Sequence, residues 1–218
     1  MLSRPKVTLK LATSLDGKIA LANGDSEWIT GRAAREAGRR LRGSHDAICV
    51  GANTAIIDNP QLTARIHGLS DPVRVIFDSR LRLLPESNLV QTAEATPLWI
   101  FCCNHESKKA DTLKSRGVTL LPVFHDNGLS IEAALDMLFR RHIKTLLLEG
   151  GGQLTAGFLR LGVIDRIEWF RAPIILGGDG RSGIGNLGIE DLDMAHTFNR
   201  VSVEGLGRDV HEVYERII

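Results

Sequence analysis

The chain has 218 residues, 43% of them hydrophobic and 24% charged, a composition that excludes a disordered chain and a coiled coil. Its 27 Lys and Arg against 26 Asp and Glu give a formal net charge of +1, so no general electrostatic attraction to nucleic acid or to an anionic membrane is expected. The length favours a single domain that spans residues 1–218.

Short apolar runs rich in β-branched residues predict the strands. In chain order these runs lie at 6–12, 46–51, 73–78, 97–102, 117–123, 145–149, 164–172, 197–205 and 209–217. Helical patterns lie between several of them, at 30–42, 106–115, 130–142 and 152–161. Thr30 and Ser130 stand where the N-cap of a helix is expected.

The alternation of strands and helices predicts βαβ units with a largely parallel sheet. The segment LLLEG at 146–150 fits this best, because its strand residues are apolar on both faces, as a central parallel strand requires. Only Gly205–Asp209 separates the last two strands, which predicts an antiparallel hairpin at a sheet edge. We therefore expect one three-layer α/β domain with a mixed, mainly parallel sheet.

Cysteine, histidine and apolar patterns exclude several other classes. Cys49, Cys102 and Cys103 form no CxxC pair, which argues against a disulfide framework and a zinc site. The histidines are scattered without metal-ligand spacing, so no metal is predicted. The longest apolar run, at 98–103, falls short of the roughly 18 residues that span a bilayer. With no signal core at the N-terminus, we expect a cytoplasmic protein that binds no membrane.

Glycine-rich segments are the clearest candidates for a ligand site. The segment GGDGRSGIGNLG at 177–188 contains GxGxxG matches but too much glycine to begin a helix, so a standard Rossmann motif is rejected. The segment LLLEGGGQLTAGFL at 146–159 instead runs from an apolar strand through Gly150–Gly152 into a helix. Two explanations stay open: the helix N-terminus binds a phosphate, or the glycines allow close packing of strand and helix.

Polar residues also follow the predicted strands. Glu149 lies at the carboxyl end of its strand, where ligands of open α/β sheets bind. Ser79 and Arg80 follow the strand VRVIF, at a position where an Arg often contacts the 2′-phosphate of a dinucleotide. Asp58 and Arg65 flank a turn marked by its Asn-Pro pair.

Taken in order, these segments resemble the reductase domain of riboflavin biosynthesis. The resemblance covers nearly the whole chain, and the combination of motifs is specific although each is short. The matching segments are KLATSLDGKIA (10–20), GDSEWIT (24–30), the Arg-rich helix that ends at Arg42, VGANTAIIDNPQLTAR (50–65), VRVIFDS (73–79), LLLEGGGQL (146–154) and LGVIDRIEWFRAPIILGG (161–178).

The resemblance implies a dihydrofolate-reductase-like α/β fold that pairs as a homodimer. It implies that NADPH is used to reduce 5-amino-6-(5-phosphoribosylamino)uracil, or its 2,5-diamino-pyrimidinone counterpart, to the ribitylamino compound. Many bacterial members carry an N-terminal zinc deaminase domain. This chain shows no residues for one, so a single stand-alone reductase domain is expected.

Carried across residue by residue, the resemblance also implies the site. The cofactor residues are Ala12, Trp28, Thr54, Asp58, Ser79, Gly151, Gly152, Gln153, Leu154, Thr155, Ala156 and Gly157. The substrate residues are Ser26, Arg42, Leu62, Arg65 and Glu149. Arg42 and Arg65 are expected to hold the 5′-phosphate, for which forked guanidinium donors are suited. Glu149 and Asp58 are equal candidates for the proton transfer.

Two alternative functions are kept. One is another NADPH reductase of the same fold with a different substrate. The other is a catalytically silent nucleotide-binding module, against which the simultaneous presence of Ser26, Arg42, Asp58, Arg65 and Glu149 argues.

Overall fold

The computed structural model describes residues 4–123 and 128–217. The strands are β1 (Lys6–Thr13), β2 (Lys18–Ala20), β3 (Ala47–Gly51), β4 (Val73–Phe77), β5 (Leu98–Cys102), β6 (Thr119–Pro122), β7 (Thr145–Leu148), β8 (Arg166–Arg171), β9 (Arg181–Ser182), β10 (Phe198–Leu206) and β11 (Asp209–Arg216). The helices are α1 (Arg32–Gly43), α2 (Ala52–Ile57), α3 (Asn88–Gln91), α4 (Lys108–Ser115), α5 (Ile131–Arg140) and α6 (Gly152–Arg160), with a 3-10 turn at Leu192–Met194.

Every strand and helix predicted from the sequence is present, with ends that differ by no more than two residues. Ser130 is confirmed as an N-cap, because its Oγ accepts a hydrogen bond from the Ala133 N–H at 3.1 Å. The N-cap prediction for Thr30 is wrong. The Arg35 N–H donates to the Gly31 carbonyl at 3.2 Å, which places Gly31 at the N-cap position of α1.

The chain forms two compact units, of which unit 1 comprises Met1–Lys6 and Arg39–Leu147. Its strands are ordered β7-β3-β4-β5-β6, and the pairs β3-β4, β4-β5 and β5-β6 are parallel. Side chains on both faces of these central strands are buried, which explains why they read as continuous apolar runs. One core cluster joins them to α3 and α4, with members that include Ile48, Ile76, Leu89, Ile100, Ala110 and Leu113.

Unit 2 comprises Val7–Gly38 and Leu148–Ile218. Its main strands are ordered β10-β11-β8-β1, with β1 parallel to β8 and with β8, β11 and β10 antiparallel in turn. Strands β2 and β9 form a separate antiparallel pair. The parallel strands together with the β10–β11 hairpin confirm the predicted mixed, mainly parallel α/β class.

A charged network crosses the strands of unit 2. The His211 Nε2 donates to the Glu168 carboxylate at 2.6 Å, and its Nδ1 donates to Glu204 at 3.1 Å. The His211 ring stacks on Phe170, with centroids 4.4 Å apart. The hydrogen bond to Glu168 outweighs burial and raises the pKa of His211 above 6.5. Burial opposes ionisation of Glu168, but hydrogen bonds from His211 and Arg166 lower its pKa overall.

These shifts predict how stability depends on pH. Because the folded-state pKa of His211 is raised, its contribution is complete below about pH 6.5 and is lost as pH rises through the folded-state pKa. The thermal midpoint of wild type should therefore exceed that of His211→Gln most at about pH 6, with the difference shrinking at alkaline pH. The exposed His67 gives the control, since His67→Gln should leave the pH profile unchanged. A difference that stays constant with pH would contradict the prediction.

Candidate active site

The glycine turn of unit 2 separates strand β7 from helix α6. Gly150 and Gly151 have φ values of 133° and 86°, a backbone region that favours glycine. Gly151 is the N-cap residue, and α6 begins at once with Gly152. The N–H groups of the first helical turn lack intrahelical acceptors and lie at the positive end of the helix dipole. This end of α6 therefore has the geometry that binds an anion.

The third residue of this turn, Gly152, must be glycine for a different reason, which is close packing. A Cβ added to Gly152 would lie 2.5 Å from the Ser182 carbonyl oxygen. The Gly185 N–H donates to the Gly152 carbonyl at 2.8 Å. The packing explanation is therefore confirmed for Gly152, because α6 there meets Ser182 of strand β9. The second glycine-rich segment, at 177–188, contains β9 and no helix, so the rejection of a Rossmann motif is also confirmed.

The SLDG turn at 14–17, which follows β1, is joined by hydrogen bonds to the second glycine-rich segment. The Asp16 carboxylate accepts hydrogen bonds from the Ser14 Oγ at 2.6 Å and from the Gly177 N–H at 2.8 Å. The hydrogen bonds from Ser14 and from the Leu176 N–H lower the pKa of Asp16 to about 2. The Gly183 N–H also donates to the Gly17 carbonyl at 3.0 Å. The second glycine-rich segment is thereby held at two points, Gly177 and Gly183, to the turn that follows β1, the strand that contains Ala12.

A partly buried ion pair lies beside the glycine turn. The Lys10 Nζ is 3.7 Å from the Glu149 Oε2, and the two side chains are 18% and 6% exposed. A Cβ on Gly38 of α1 would lie 3.3 Å from the Lys10 Cε, so the small residue leaves space for the lysine. Lys10 was not among the predicted site residues. Its signal in the sequence is a lysine between Leu9 and Leu11 of β1, because a charge among apolar residues needs a partner.

The remaining predicted site residues of unit 2 differ in exposure. Thr155 and Ala156 are buried in α6, and the Thr155 Oγ1 has no hydrogen-bond partner among the described residues. Ser26 and Trp28 lie in an exposed segment before α1. The Trp28 ring is 62% exposed, and the Arg35 guanidinium lies 4.2 Å from its centroid. Trp28 therefore offers a flat, accessible surface beside a cation.

Helix α2, which the sequence analysis missed, places two predicted residues in unit 1. Thr54 lies within α2, and Asp58 is its C-cap residue, whose N–H donates to the Thr54 carbonyl at 3.0 Å. Asp58 is exposed and Thr54 is half-buried. The helix thus brings Thr54 and Asp58 to one helical turn.

The loop from Asn59 to Arg65 has an unusual backbone. Asn59, Leu62 and Arg65 have φ values of 39°, 57° and 52°, a left-handed region that non-glycine residues seldom adopt. Each such residue costs on the order of 1 kcal/mol and persists only where its surroundings hold it. Leu62 and Arg65 are both predicted substrate residues. Strain of this kind concentrates at binding sites, and no sequence pattern reveals it.

Side chains of unit 1 hold this loop from several directions. The Asn59 Oδ1 accepts from the Asn88 N–H at 2.8 Å, and the Asp71 Oδ1 accepts from the Ala64 N–H at 2.8 Å. The Arg42 Nη1 donates to the Thr63 carbonyl at 3.3 Å. Arg42 thus contacts the loop that carries Arg65, which fits the predicted pairing of these two arginines.

The fully buried Arg74 on β4 also stabilises the loop, through hydrogen bonds from its guanidinium. Its guanidinium donates to the Gln61 carbonyl at 3.5 Å, to the Thr92 Oγ1 at 2.7 Å and to the Thr92 carbonyl at 3.0 Å. It also donates to the Thr96 carbonyl. Burial lowers the pKa of Arg74 to about 10, which leaves it charged at neutral pH. Sequence reasoning missed Arg74 because it lies inside an apolar strand pattern.

Ser79 lies just beyond the carboxyl end of β4, as predicted. Its carbonyl accepts from the Cys103 N–H at 3.1 Å, so the ends of β4 and β5 stay together past the strands. The preceding Asp78 is buried, and its Oδ2 accepts from the Leu83 N–H at 2.8 Å. Ser79 is half-buried and Arg80 is exposed.

The predicted residues therefore fall on both units. Unit 2 carries Ala12, Ser26, Trp28, Glu149 and the turn from Gly151 to Gly157, and unit 1 carries Arg42, Thr54, Asp58, Leu62, Arg65 and Ser79. Within residues 4–123 and 128–217, no group of three His, Cys, Asp or Glu side chains is arranged to hold a metal ion. In the same residues, no helix has the length and apolar character to cross a membrane.

Comparison with known proteins shows what the chain is similar to. Residues 5–211 match the family described as the RibD C-terminal domain. The chain belongs to this family. A riboflavin biosynthesis protein RibD from Aquifex aeolicus (strain VF5) is 37% identical over 214 residues, which cover 98% of this chain and 58% of that protein.

Solved structures agree with this family. Acinetobacter baumannii RibD superposes with a TM-score of 0.87 at 29% identity, over 99% of this chain and 59% of that one. A Thermotoga maritima diaminohydroxyphosphoribosylaminopyrimidine deaminase/5-amino-6-(5-phosphoribosylamino)uracil reductase gives a TM-score of 0.83 at 31% identity, over 98% and 57% of the two chains. The fold is thus the expected dihydrofolate-reductase-like one. The chain spans somewhat more than half the length of these relatives.

The packing of Gly152 gives a prediction about the glycine turn. Gly152→Ala should lower the free energy of unfolding by about 1–3 kcal/mol, because the new methyl group meets the backbone of Ser182. Gly178→Ala is the matched control: nothing lies within 4 Å of the added Cβ, so a change within about 0.5 kcal/mol is expected. Urea unfolding of the three proteins measures both effects. Equal stability of the two variants would refute the packing assignment.

Proposed function

We propose that the protein is an NADPH-dependent reductase of riboflavin biosynthesis. Its substrate would be 5-amino-6-(5-phosphoribosylamino)uracil or the 2,5-diamino-pyrimidinone counterpart, and its product the ribitylamino compound. The observation that carries the proposal is the partly buried Lys10–Glu149 pair beside the glycine turn. Membership of the RibD C-terminal domain family supports it, as does the reductase activity named for the Thermotoga maritima relative.

The residues present fit a dinucleotide. The N–H groups at the start of α6 are suited to its pyrophosphate. The positive φ values at positions 150 and 151 favour glycine, and because glycine has no side chain, none covers that end of the helix. The Thr155 Oγ1 supplies a buried polar atom that lacks a partner among the described residues. Trp28, Thr54, Asp58 and Ser79 complete the proposed set. When bound, the reduced nicotinamide supplies the hydride that the ribose C1′ accepts.

Reduction of the opened, imine form of the ribosylamine also consumes one proton. We assign the handling of this proton to Glu149, whose carboxylate is largely shielded from water and paired with the Lys10 ammonium. Asp58 remains the second candidate, and its exposure makes it the less shielded of the two. Shielding matters because a water-free setting keeps the hydride from side reactions.

The substrate phosphate is assigned to Arg65 and Arg42. The Arg42 contact with the Thr63 carbonyl orients its guanidinium on the loop that carries Arg65. Two forked guanidinium groups give charge-assisted hydrogen bonds to a phosphate. Leu62, which belongs to the same loop, is buried, and Ser26 completes the proposed substrate set.

We further propose that two copies pair and that the protein acts in the cytoplasm. Strand β10 is long and exposed along most of its length, with Val201 and Val203 about half exposed, which is a surface that a second copy would cover. The cysteines Cys49, Cys102 and Cys103 form no disulfide, which agrees with a reducing compartment.

The proposed function predicts NADPH oxidation that depends on the pyrimidine. Loss of the near-ultraviolet absorbance of the reduced nicotinamide is expected with one of the two candidate pyrimidines and not with dihydrofolate. Glu149→Gln should lower kcat about 100-fold or more, because a positioned acid or base contributes about that much. Oxidation with dihydrofolate would instead support another reductase of this fold. NADPH binding without oxidation would support the silent module.

The phosphate assignment is tested at Arg65. Arg65→Asn should raise the KM for the pyrimidine about tenfold or more while leaving the KM for NADPH unchanged. Asparagine is chosen because it tolerates the positive φ at this position. The control is Arg140→Ala, which removes an exposed guanidinium paired with Asp136 on α5. An unchanged KM for the pyrimidine in Arg65→Asn would remove Arg65 from this role.

A further inference from the structure

The segment Trp28–Gly31 is fastened by groups from outside it at three successive residues. The Arg208 Nη2 donates to the Ile29 carbonyl at 3.1 Å, and the Arg35 Nη1 donates to the Thr30 carbonyl at 2.7 Å. The Gly31 N–H donates to the Asp209 Oδ2 at 2.6 Å. Two of the three groups come from the C-terminal hairpin, with Arg208 in the turn between β10 and β11 and Asp209 at the start of β11. This end of the hairpin is therefore the main external support of the segment.

The burial and position of Asp209 suit it to hold the backbone at the start of α1. It is buried, and no hydrogen-bond partner for its Oδ1 is found in the described part of the chain, although the Arg208 Nε lies 3.6 Å away. Its carboxylate lies at the N-terminus of α1, where the helix dipole favours a negative charge. A Cβ on Gly31 would lie 3.2 Å from the Asp209 Oδ2, so the approach depends on glycine.

The side chains within the segment contrast sharply. Ile29 and Thr30 are buried, whereas the preceding Trp28 ring is largely exposed. The Arg35 guanidinium stacks over that ring and at the same time holds the Thr30 carbonyl. An exposed indole on an anchored backbone, with a cation beside it, suits a ligand that combines flat rings with phosphates.

We propose that Arg35, Arg208 and Asp209 are positioning residues for the dinucleotide. They fix the backbone of Trp28–Gly31 so that the Trp28 ring is already oriented when the dinucleotide binds. This role rests on the proposed function, in which Trp28 contacts NADPH. The C-terminal hairpin thereby acts on the cofactor through Trp28 and touches neither the substrate nor the reacting atoms.

The first test measures the Kd of NADPH by calorimetry. Arg208→Ala and Asp209→Asn should each weaken binding about tenfold, because each removes a charged hydrogen-bonding partner from the segment. The matched controls are Arg140→Ala on α5 and Asp193→Asn in the 3-10 turn, both at exposed positions, and neither should change the Kd. In steady-state assays the KM for NADPH should rise while kcat at saturating NADPH stays within about twofold.

The second test separates positioning from a merely structural role. In a Trp28→Ala background, Arg208→Ala and Asp209→Asn should have almost no further effect on the Kd, since the side chain that they position is gone. Arg35→Lys should restore part of the affinity lost in Arg35→Ala. Hydrogen exchange at the amides of residues 29–31 should speed up in Asp209→Asn, which reports on the segment without any activity.

The outcomes distinguish this proposal from the function on which it rests. If wild type binds NADPH but reduces neither pyrimidine, the proposed function fails, while the effects of Arg208→Ala and Asp209→Asn on the Kd still support their positioning role. If wild type reduces a pyrimidine and these variants bind NADPH normally despite faster hydrogen exchange, the positioning role is refuted. Equal losses of affinity with and without Trp28 would also refute it.

Discussion

The close approach of two backbone segments at Gly152 and Gly185 is the constraint from which the rest of the site in unit 2 follows. It fixes where α6 begins, because neither position leaves space for a side chain. The start of α6 in turn sets the direction of its first N–H groups and places Glu149 just before the turn. Asp16 extends the same constraint by holding the second glycine-rich segment at Gly177. The site is therefore shaped by backbone packing, which side-chain chemistry then uses.

Unit 1 solves a different problem, which is to hold a strained loop. Burying the charge of Arg74 is costly unless its donors are satisfied, and the carbonyls of Gln61, Thr92 and Thr96 satisfy several of them. These bonds act on loop backbone, so the buried cation stabilises segments that have no regular secondary structure. The positive φ values at Leu62 and Arg65 are sustained in this setting. Rigidity of this kind favours recognition, because less ordering remains to be done when a ligand binds.

The sequence predicts the long elements well and the supports of the site poorly. Strands such as β4 and β5 are recognisable because burial on both faces demands continuous apolar residues. The short elements α2 and β9 have too few residues for a periodic pattern. The prediction that Thr30 is the N-cap failed because the N-cap residue is Gly31. The Gly31 N–H is held by a hydrogen bond to Asp209, which lies 178 residues away in the chain. Lys10 and Arg74 each stand in a strand as an isolated charge, but their partners are distant in the chain and only the fold reveals those partners.

The small net charge of +1 bears on how an anionic dinucleotide would be recognised. Such a protein has no strong overall field to attract anions, so long-range steering contributes little. Recognition then depends on groups that act at contact distance, such as the N–H groups of α6 and the Trp28 ring that Arg35 helps to position. Groups of this kind work only when their positions are fixed before binding. This requirement explains why so much of unit 2, from the SLDG turn to the C-terminal hairpin, consists of contacts that hold backbone in place.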